Sequence, residues 1–258
     1  MKLLIDIGNT STKIAVCRPG ERGGKGDILY TEHKDATEPW ETTFQRLSLQ
    51  FAIDGCAISC VGADDAGLHR VLATLPYPYV WLENTTTCAL HDIPAGYGAD
   101  RLAADLGAIV LLKEKWPATS VSDLTADGLL IVDVGTCITY DLILDSQIVS
   151  GVISPGAQLR LQAMHDYTAL LPLIHLDAQY PDCSTTPLQG TDTHTCMLSG
   201  VLHGVRFEIE GYIHALRSRY PRLKVCLTGG FFFNVDPDVA EVCIYDPHLV
   251  LYGLLSLI

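Results

Sequence analysis

The sequence predicts an α/β protein of two similar lobes, each with a central mixed β-sheet flanked by helices. Short apolar strands alternate with segments of helical spacing along most of the 258 residues, which is typical of this fold class. The pattern strand, Asp, any residue, Gly, turn, strand occurs twice, in LLIDIGNTSTKIAV and, half a chain later, in LLIVDVGTCITYDLI. This repetition indicates an internal duplication.

The first half begins with a predicted antiparallel meander. Its strands are Lys2 to Ile7, Lys13 to Cys17 and Asp27 to His33, separated by a Gly-Asn-Thr turn and the PGERGGKG segment. The elements predicted after it are a helix near Glu38 to Phe51, the strand CAISCV, a short helix near Asp64 to Leu75, the strand YVWLE and a helix containing Leu102, Leu106 and Ile109.

The stretch Glu114 to Gly128 has little apolar periodicity and several turn formers. It is the predicted boundary between one lobe of residues 1–115 and a second of residues 116–258. The second hairpin, Leu129 to Ile143, opens the second lobe. The later predicted elements are a strand at Gln147 to Ser154, helices at Gly156 to Leu171 and Thr191 to Arg219, strands at Lys224 to Leu227 and VCIY, and a helix at His248 to Leu257.

Composition argues against several classes of partner and site. Lys and Arg number 17 against 30 Asp and Glu, a net charge of −13, so binding to nucleic acid or an anionic membrane is not expected. No signal-peptide pattern or apolar run of membrane-helix length, about 18 residues, is found. Nine cysteines without a Cys-x-x-Cys pair predict small buried residues of a reduced, cytoplasmic protein and no zinc site.

The acid at the end of the first strand is the first candidate functional feature. Burying an unpaired carboxylate is costly, so Asp6 requires a partner. The small residues of the following turn leave backbone N–H groups open to a phosphate, and Lys13 adds positive charge there. Asp6 can also hold a divalent cation that bridges to phosphate oxygens. The alternative is a plain hairpin turn, for which Gly, Asn and Asp are the usual residues.

The second hairpin favours the functional interpretation. Asp133, Gly135 and Thr136 repeat the acid, the glycine and a hydroxyl in the same local order. The two hairpins would then face a nucleotide from opposite lobes. A further polar turn, Thr228 to Gly230, follows a strand and would let an adenosine approach the backbone closely, although a simple turn explains it as well.

The segment GYGADR, Gly96 to Arg101, concentrates polar groups before a predicted helix. Asp100 could act as a general base toward a hydroxyl, and Arg101 could bind a carboxylate or phosphate of a substrate. The alternative is an acidic residue that only stabilises the helix N-terminus.

Eight motifs in order along nearly the whole chain resemble type III pantothenate kinases. They are DIGNTSTK, GYGADR, DVGTCIT, GVISPG, ALLP, GTDTHTCMLSG, LTGG and DPHLVLYGL. The resemblance implies the duplicated actin-like (ribonuclease H-like) fold of the acetate and sugar kinase, heat-shock chaperone and actin superfamily. It also implies ATP-dependent phosphorylation of pantothenate to 4′-phosphopantothenate, the first step of coenzyme A biosynthesis, by a cytoplasmic homodimer that uses Mg²⁺ and a monovalent cation, K⁺ or NH₄⁺.

The resemblance implies roles for single residues as well. Asp100 corresponds to the catalytic proton acceptor, Asp133 to the monovalent-cation ligand, and Asp6 to the residue that holds Mg²⁺ through water. The residues implied to bind ATP are Asp6, Ile7, Gly8, Asn9, Thr10, Ser11, Thr12, Lys13 and Thr136. Those implied to bind pantothenate are Tyr97, Gly98, Ala99, Asp100, Arg101 and Thr193.

The chain departs from the family pattern at three positions. Cys137 and Ile138 stand where the family usually has a small residue and a hydroxyl, and a side chain that points into the core would tolerate the change because strand neighbours alternate faces. Asp192 replaces the usual asparagine before Thr193 and would add negative charge near an anionic substrate.

Two other functions stay open at this point. One is a kinase of the same superfamily that acts on a sugar or acetate, although the arginine of GYGADR favours an acid-bearing substrate. The other is a regulatory relative without catalysis, against which the retention of Asp6, Asp100 and Asp133 argues.

Overall fold

The computed structural model describes residues 1–21, 24–62, 66–116, 120–176, 183, 185–230 and 235–258. The chain packs into two compact units. Unit 1 comprises Met1–Leu124, Asp145–Ile148 and His248–Ile258, and unit 2 comprises Thr125–Leu144 and Val149–Pro247. The assignment of residues 1–115 and 116–258 to separate domains stays a prediction, because compact packing alone does not define a domain that folds independently.

The helices and strands follow one another as the alternation in the sequence predicts. In chain order they are β1 (Lys2–Ile7), β2 (Thr12–Arg18), β3 (Asp27–His33), α1 (Trp40–Gln50), β4 (Gly55–Cys60), α2 (Ala66–Leu72), β5 (Tyr79–Trp81), α3 (Ala99–Lys115), α4 (Val121–Thr125), β6 (Leu129–Val134), β7 (Cys137–Leu144), β8 (Gln147–Pro155), α5 (Ala157–Asp166), α6 (Thr193–Arg219), β9 (Lys224–Gly229), α7 (Pro237–Ala240), β10 (Cys243–Tyr245) and α8 (Leu249–Leu255).

The two β-sheets have the same topology. The first has the strand order β3-β2-β1-β4-β5 and the second β10-β9-β6-β7-β8. When β6 to β10 are matched to β1 to β5, the second order is the first one reversed. In each sheet the acid-bearing strand pairs antiparallel with the strand that follows it and parallel with the fourth strand of the set. The predicted duplication and the mixed sheets are therefore confirmed.

The acid-bearing strands occupy the centres of the two hydrophobic cores. In β1, Leu3, Leu4 and Ile5 are buried, so both faces of the strand are covered. In β6, Leu129 to Val132 are buried in the same way. Continuous apolar runs of this kind are typical of strands with a layer on each face.

Several predicted elements differ from the observed ones. The helix predicted to reach Leu171 ends at Asp166, where the Thr168 hydroxyl donates to the Met164 carbonyl and Pro172 lies ahead. Helices α4 and α7 were not predicted. Residues 64 and 65 of the predicted second helix, and 117–119 of the predicted boundary, lie outside the described residues.

The prediction of buried cysteines is wrong at two positions. Cys137 and Cys196 are exposed, whereas Cys17 and Cys56 are buried as expected. Cys137 begins β7 beside the hairpin turn and Cys196 lies on the exposed first turn of α6, where no core covers them. In the part of the chain that the structure describes, no helix is long and apolar enough to cross a membrane.

Two glycines allow α3 and α8 to approach through their backbones. A Cβ atom at Gly107 would lie 1.8 Å from the carbonyl oxygen of Leu249, and one at Gly253 would lie 1.8 Å from that of Ala103. Helix α8 also contacts β1 and β4. This crossing therefore holds α3, which carries GYGADR at its start, against the helix that lies on the first sheet.

We expect Gly107→Ala to lower the free energy of unfolding by at least about 2 kcal/mol, because the helices must separate to admit the methyl group. Urea denaturation measures this change. Gly211→Ala on α6 is the matched control, since nothing lies within 4 Å of its Cβ position. There the substitution should stabilise the fold by about 0.5 to 1 kcal/mol. A gain in stability at Gly107 like that of the control would contradict the close approach.

Candidate active site

Asp6 lies between two polar side chains on neighbouring strands. Lys13 of β2 and Ser59 of β4 are its partners in register on either side. The Ser59 hydroxyl, which is 0% exposed, donates a hydrogen bond to Asp6 Oδ1 at 2.5 Å. Sequence reasoning missed Ser59, although a lone hydroxyl within the apolar strand CAISCV was an available signal.

The charge of Asp6 is under opposing influences. Burial raises the pKa of this carboxyl, the Ser59 hydrogen bond lowers it, the nearby Asp100 carboxylate raises it again and Lys13 lowers it, with a net rise. Asp6 and Asp100 are thus close enough to repel each other. A cation bound by these oxygens would offset both the burial and the repulsion.

The two carboxylates fit Mg²⁺. This ion keeps several of its waters and is bound through one or two carboxylates together with substrate phosphates. In the described part of the chain, no three His, Cys, Asp or Glu side chains are placed to hold a metal by themselves. A site completed by water and phosphate is therefore the kind that Asp6 and Asp100 can provide.

The first hairpin turn presents polar groups to a cavity. The Gly8 N–H donates to the Ser11 carbonyl at 3.0 Å and closes the turn, which leaves Asn9, Thr10 and Ser11 exposed. A cavity of about 380 Å³ is lined by Ile7 to Thr12 together with Lys34, Ala36 and Trp40. The turn can therefore offer N–H and hydroxyl groups to an anion, as its small residues predict.

Two basic side chains near this hairpin have contacts that sequence reasoning missed. Lys13 Nζ lies 3.4 Å from Nδ1 of His248, the residue before α8. Lys34 Nζ lies 4.7 Å from the centre of the Trp40 ring and bonds the Asp35 carbonyl at 2.9 Å. Lys34 directly follows β3, but nothing in the local sequence places it beside the turn.

GYGADR forms the entry to α3 and one wall of a pocket. Gly98 is the N-cap, Asp100 lies in the first helical turn and the Arg101 N–H donates to Asp100 Oδ1 at 2.8 Å. The residues Gly96 to Ala99 line a pocket of about 570 Å³ together with residues after β4 and around β5, among them Val61 and Trp81. Asp100 lies at the N-terminus of α3, where a negative charge is favourable, and this accounts for part of its placement. Its charge also acts on Asp6, which supports a functional role.

The second hairpin repeats the geometry with different side chains. Asp133, the penultimate residue of β6, pairs in register with Thr139 of β7 and Thr228 of β9. Lys13 and Ser59 occupy the same positions beside Asp6. After burial and Asp246, the Asp133 charge is a further cause of the raised pKa of Tyr245. Asp133 therefore has hydroxyl residues, and no lysine, at its two flanking positions.

Thr136 is held by the GVISPG motif. The Gly156 N–H donates to the Thr136 carbonyl at 2.9 Å, and a Cβ at Gly156 would lie 2.1 Å from the Gly135 carbonyl oxygen. Only glycine permits this approach. Of the two departures from the family pattern in this turn, Ile138 is 0% exposed and lies in the core, whereas Cys137 is exposed.

A cluster of hydrogen bonds on Glu208 fastens the same region. Glu208 accepts from Ser154 at 2.5 Å, Arg160 at 2.5 Å and Tyr140 at 2.8 Å, and Arg160 Nε also donates to the Pro155 carbonyl at 2.7 Å. Burial alone would raise the pKa of Glu208, but these bonds hold it below its usual value. Helix α6 is thereby joined to the segment that contacts Thr136.

Thr193 opens α6 and is exposed. The preceding Asp192 is the N-cap, because its carboxylate accepts the Thr195 N–H at 2.9 Å while the Thr195 hydroxyl accepts the Asp192 N–H at 3.2 Å. These bonds, together with the charge of His194, lower the pKa of Asp192. The departure from asparagine thus retains a good capping residue.

Comparison with known proteins supports the resemblance. A family model described as type III pantothenate kinase matches residues 2–215. The chain belongs to the type III pantothenate kinase family. A member from Bacteroides fragilis is 35% identical over 259 residues, which cover 98% of this chain and 96% of the relative. Another, from Flavobacterium psychrophilum, is 40% identical over 234 residues, which cover 89% of this chain and 87% of the relative.

A solved structure confirms the actin-like fold of this family member. It is that of a Sinorhizobium meliloti protein provisionally named a 2-dehydro-3-deoxygalactonokinase, with a TM-score of 0.54 and 14% identity. The match covers 100% of this chain and 95% of that one. At this identity the likeness concerns the fold alone.

The residues with implied family roles fall into two groups. Unit 1 contains Asp6 to Lys13 and Tyr97 to Arg101, and it brings Asp6, Lys13 and Asp100 into electrostatic contact. Unit 2 contains Asp133, Thr136 and Thr193. Their roles in binding and catalysis stay predictions.

We expect Asp6→Asn to impair Mg²⁺-ATP binding by about 100-fold or more while the thermal unfolding temperature at neutral pH stays equal or rises. Because burial raises the pKa of Asp6 above 3.8, the carboxyl stabilises the fold fully only when protonated. That contribution is lost as pH rises through the folded-state pKa. Asp6→Asn does not ionise at this position, so it does not lose stability in this way as pH rises.

Calorimetric titration with Mg²⁺-ATP and thermal unfolding across acidic and neutral pH measure the two effects. Thr74→Ala is the control for ligand binding, because Thr74 is far along the chain from the hairpin and its hydroxyl bonds the Val71 carbonyl three residues earlier. Equal damage to binding and to folding by Asp6→Asn would assign Asp6 a structural role.

Proposed function

We propose that this protein transfers the γ-phosphoryl group of ATP to the primary hydroxyl of pantothenate and so forms 4′-phosphopantothenate, the first step of coenzyme A biosynthesis. Membership of the type III pantothenate kinase family, with relatives of that name matched over nearly the full chain, supports the substrate. The observation that carries the chemistry is the placement of Asp6 between Lys13 and the Ser59 hydroxyl, where the charge of the Asp100 carboxylate also acts on it.

On the ATP side, the hairpin from Asp6 to Lys13 binds the phosphates. The Gly8 to Thr12 turn offers N–H and hydroxyl groups, and the Lys13 ammonium offers positive charge. Asp6 holds Mg²⁺, which when bound supplies charge neutralisation on the phosphates. Thr136, whose carbonyl accepts the Gly156 N–H, is a further ATP-binding residue in this proposal.

On the pantothenate side, Asp100 accepts the proton of the substrate hydroxyl. That oxygen forms a bond to the γ-phosphorus, the bond from the γ-phosphorus to the bridging oxygen breaks, and ADP leaves with the electron pair. Arg101 pairs with the substrate carboxylate. Tyr97, Gly98 and Ala99 line the pocket next to Asp100. Thr193 is a further pantothenate-binding residue in this proposal.

A monovalent cation, K⁺ or NH₄⁺, binds at Asp133 in this proposal. The register partners of Asp133 are Thr139 and Thr228, so a carboxylate is flanked by two hydroxyl residues, and Thr139 stands where the other hairpin has a lysine. Oxygen ligands of this kind suit hard cations. The cation would offset the negative charge of Asp133 and add positive charge to the site.

We also propose a cytoplasmic homodimer. The cytoplasm provides ATP and keeps thiols reduced, and burial raises the pKa of the Cys17 thiol to about 12, which keeps it protonated. Large apolar side chains are exposed on unit 2, including Ile153, which is 61% exposed, Leu170 and Phe207. Contiguous apolar patches are typical of interfaces between copies, and in this proposal these side chains contribute to one.

The decisive experiment is ATP-dependent phosphorylation of pantothenate by the purified protein, with and without K⁺. We expect turnover that K⁺ or NH₄⁺ increases, a loss of that increase in Asp133→Asn, and a fall in kcat of about 10² to 10⁴ in Asp100→Asn because the proton acceptor is removed. Sugars and acetate serve as control substrates. Absence of turnover by the parent, preference for a control substrate, or full turnover by Asp100→Asn would overturn the proposal.

The dimer has its own test. Light scattering should give a mass of twice 28.1 kDa for the parent, and Ile153→Asp should shift it toward the monomer because a charge would be buried at the interface. Since Ile153 is exposed within the chain, circular dichroism should be unchanged. Leu49→Asp on α1 of unit 1, also exposed, is the control. A monomeric parent would refute the homodimer.

A further inference from the structure

Asp105 is a buried carboxyl that the mechanism above does not use. It is 0% exposed and lies on α3 among buried apolar residues such as Leu102 and Leu106. A carboxyl in such surroundings is costly unless a hydrogen bond compensates it. Its position, one helical turn after Arg101, places it directly behind the GYGADR segment.

Asp105 is joined to the substrate loop through one side chain. The Tyr97 hydroxyl donates a hydrogen bond to Asp105 Oδ2 at 2.8 Å. The Arg101 guanidinium carbon lies 4.4 Å from the centre of the Tyr97 ring, in cation–π geometry. The Asp105 carboxyl therefore contacts the Tyr97 phenol, and the Tyr97 ring contacts the Arg101 guanidinium.

The backbone of Tyr97 is held by its N–H bond to the Pro94 carbonyl at 3.1 Å, while its ring stands between two residues without side chains. Gly96 has a φ of 76°, in the left-handed region, and nothing lies within 4 Å of its Cβ position. Gly98 on the other side also lacks a side chain. The hydrogen bond to a rigid helix therefore restrains a ring that stands between two glycines.

We propose that Asp105 is a positioning residue for pantothenate binding. It holds the Tyr97 ring through the hydroxyl, and the ring in turn holds the Arg101 guanidinium where it receives the carboxylate of the substrate. The inference rests on the proposed function, since Asp105 would act on pantothenate only through Tyr97 and Arg101. Arg101 would remain charged without Asp105, but it would sample more orientations and be ordered less well before binding.

The experiment is a double-mutant cycle with Asp105→Ala, Tyr97→Phe and the combination of both. Each single change should raise the KM for pantothenate about tenfold, with the KM for ATP and kcat within about twofold. The double variant should be no worse than Tyr97→Phe alone, because both changes break the same contact. Asp105→Asn keeps an acceptor oxygen and should restore most of the affinity.

Asp141→Asn is the matched control, since Asp141 is another buried carboxyl, 1% exposed, on β7 of unit 2. It should alter thermal stability without changing the KM for pantothenate. If Asp105→Ala does not fold, Tyr97→Phe still decides the matter, because it removes only a hydroxyl from a half-buried ring. An unchanged KM in Tyr97→Phe, or additive effects in the double variant, would overturn the positioning role.

Calorimetric titration with pantothenate separates this proposal from the function on which it rests. If the parent binds and phosphorylates pantothenate but the variants bind it equally well, the function stands and the role of Asp105 fails. If the parent neither binds nor phosphorylates pantothenate, the proposed function fails, and the positioning role fails with it.

Discussion

The structure of unit 1 is arranged around a carboxylate at the end of a buried central strand. Burial and the charge of Asp100 both raise the pKa of Asp6, whereas the Ser59 hydrogen bond and Lys13 lower it. The parallel pairing of β1 with β4 brings the Ser59 hydroxyl to it, and the antiparallel pairing with β2 brings Lys13. The acid is thereby kept ready for a cation, at the edge where the strand ends of the sheet meet the helix that carries Asp100.

Duplication provides two such acids, and divergence of their neighbours gives them different properties. The two sheets share topology and the Asp-x-Gly turn, but the flanking positions changed from Lys13 and Ser59 to Thr139 and Thr228. A lysine beside the acid suits the phosphates of a nucleotide, whereas hydroxyls suit a cation ligated by oxygen. The same hairpin therefore presents different chemical groups beside its acid in the two units.

Glycines set the places where functional backbone segments approach each other. At Gly107 and Gly253 they let α8 lie against α3, and at Gly156 they let the GVISPG segment reach the turn of Thr136. In each case any side chain would collide with a carbonyl oxygen. The exposed turns can therefore remain short and polar while buried contacts elsewhere hold them in position.

Much of the fold and the candidate residues could be predicted from sequence because their signals are local. Alternation of apolar residues, the Asp-x-Gly turns and their repetition predicted the hairpins, the duplication and the choice of Asp6 and Asp133. The GYGADR segment and the resemblance to the family supplied Asp100. Ser59, His248 and Asp105 could not be chosen in this way, since their partners lie elsewhere in the fold and depend on sheet register, helix crossing and loop entry. The end of α5 and the exposure of Cys137 were likewise decided by what packs over each segment, which only the tertiary structure determines.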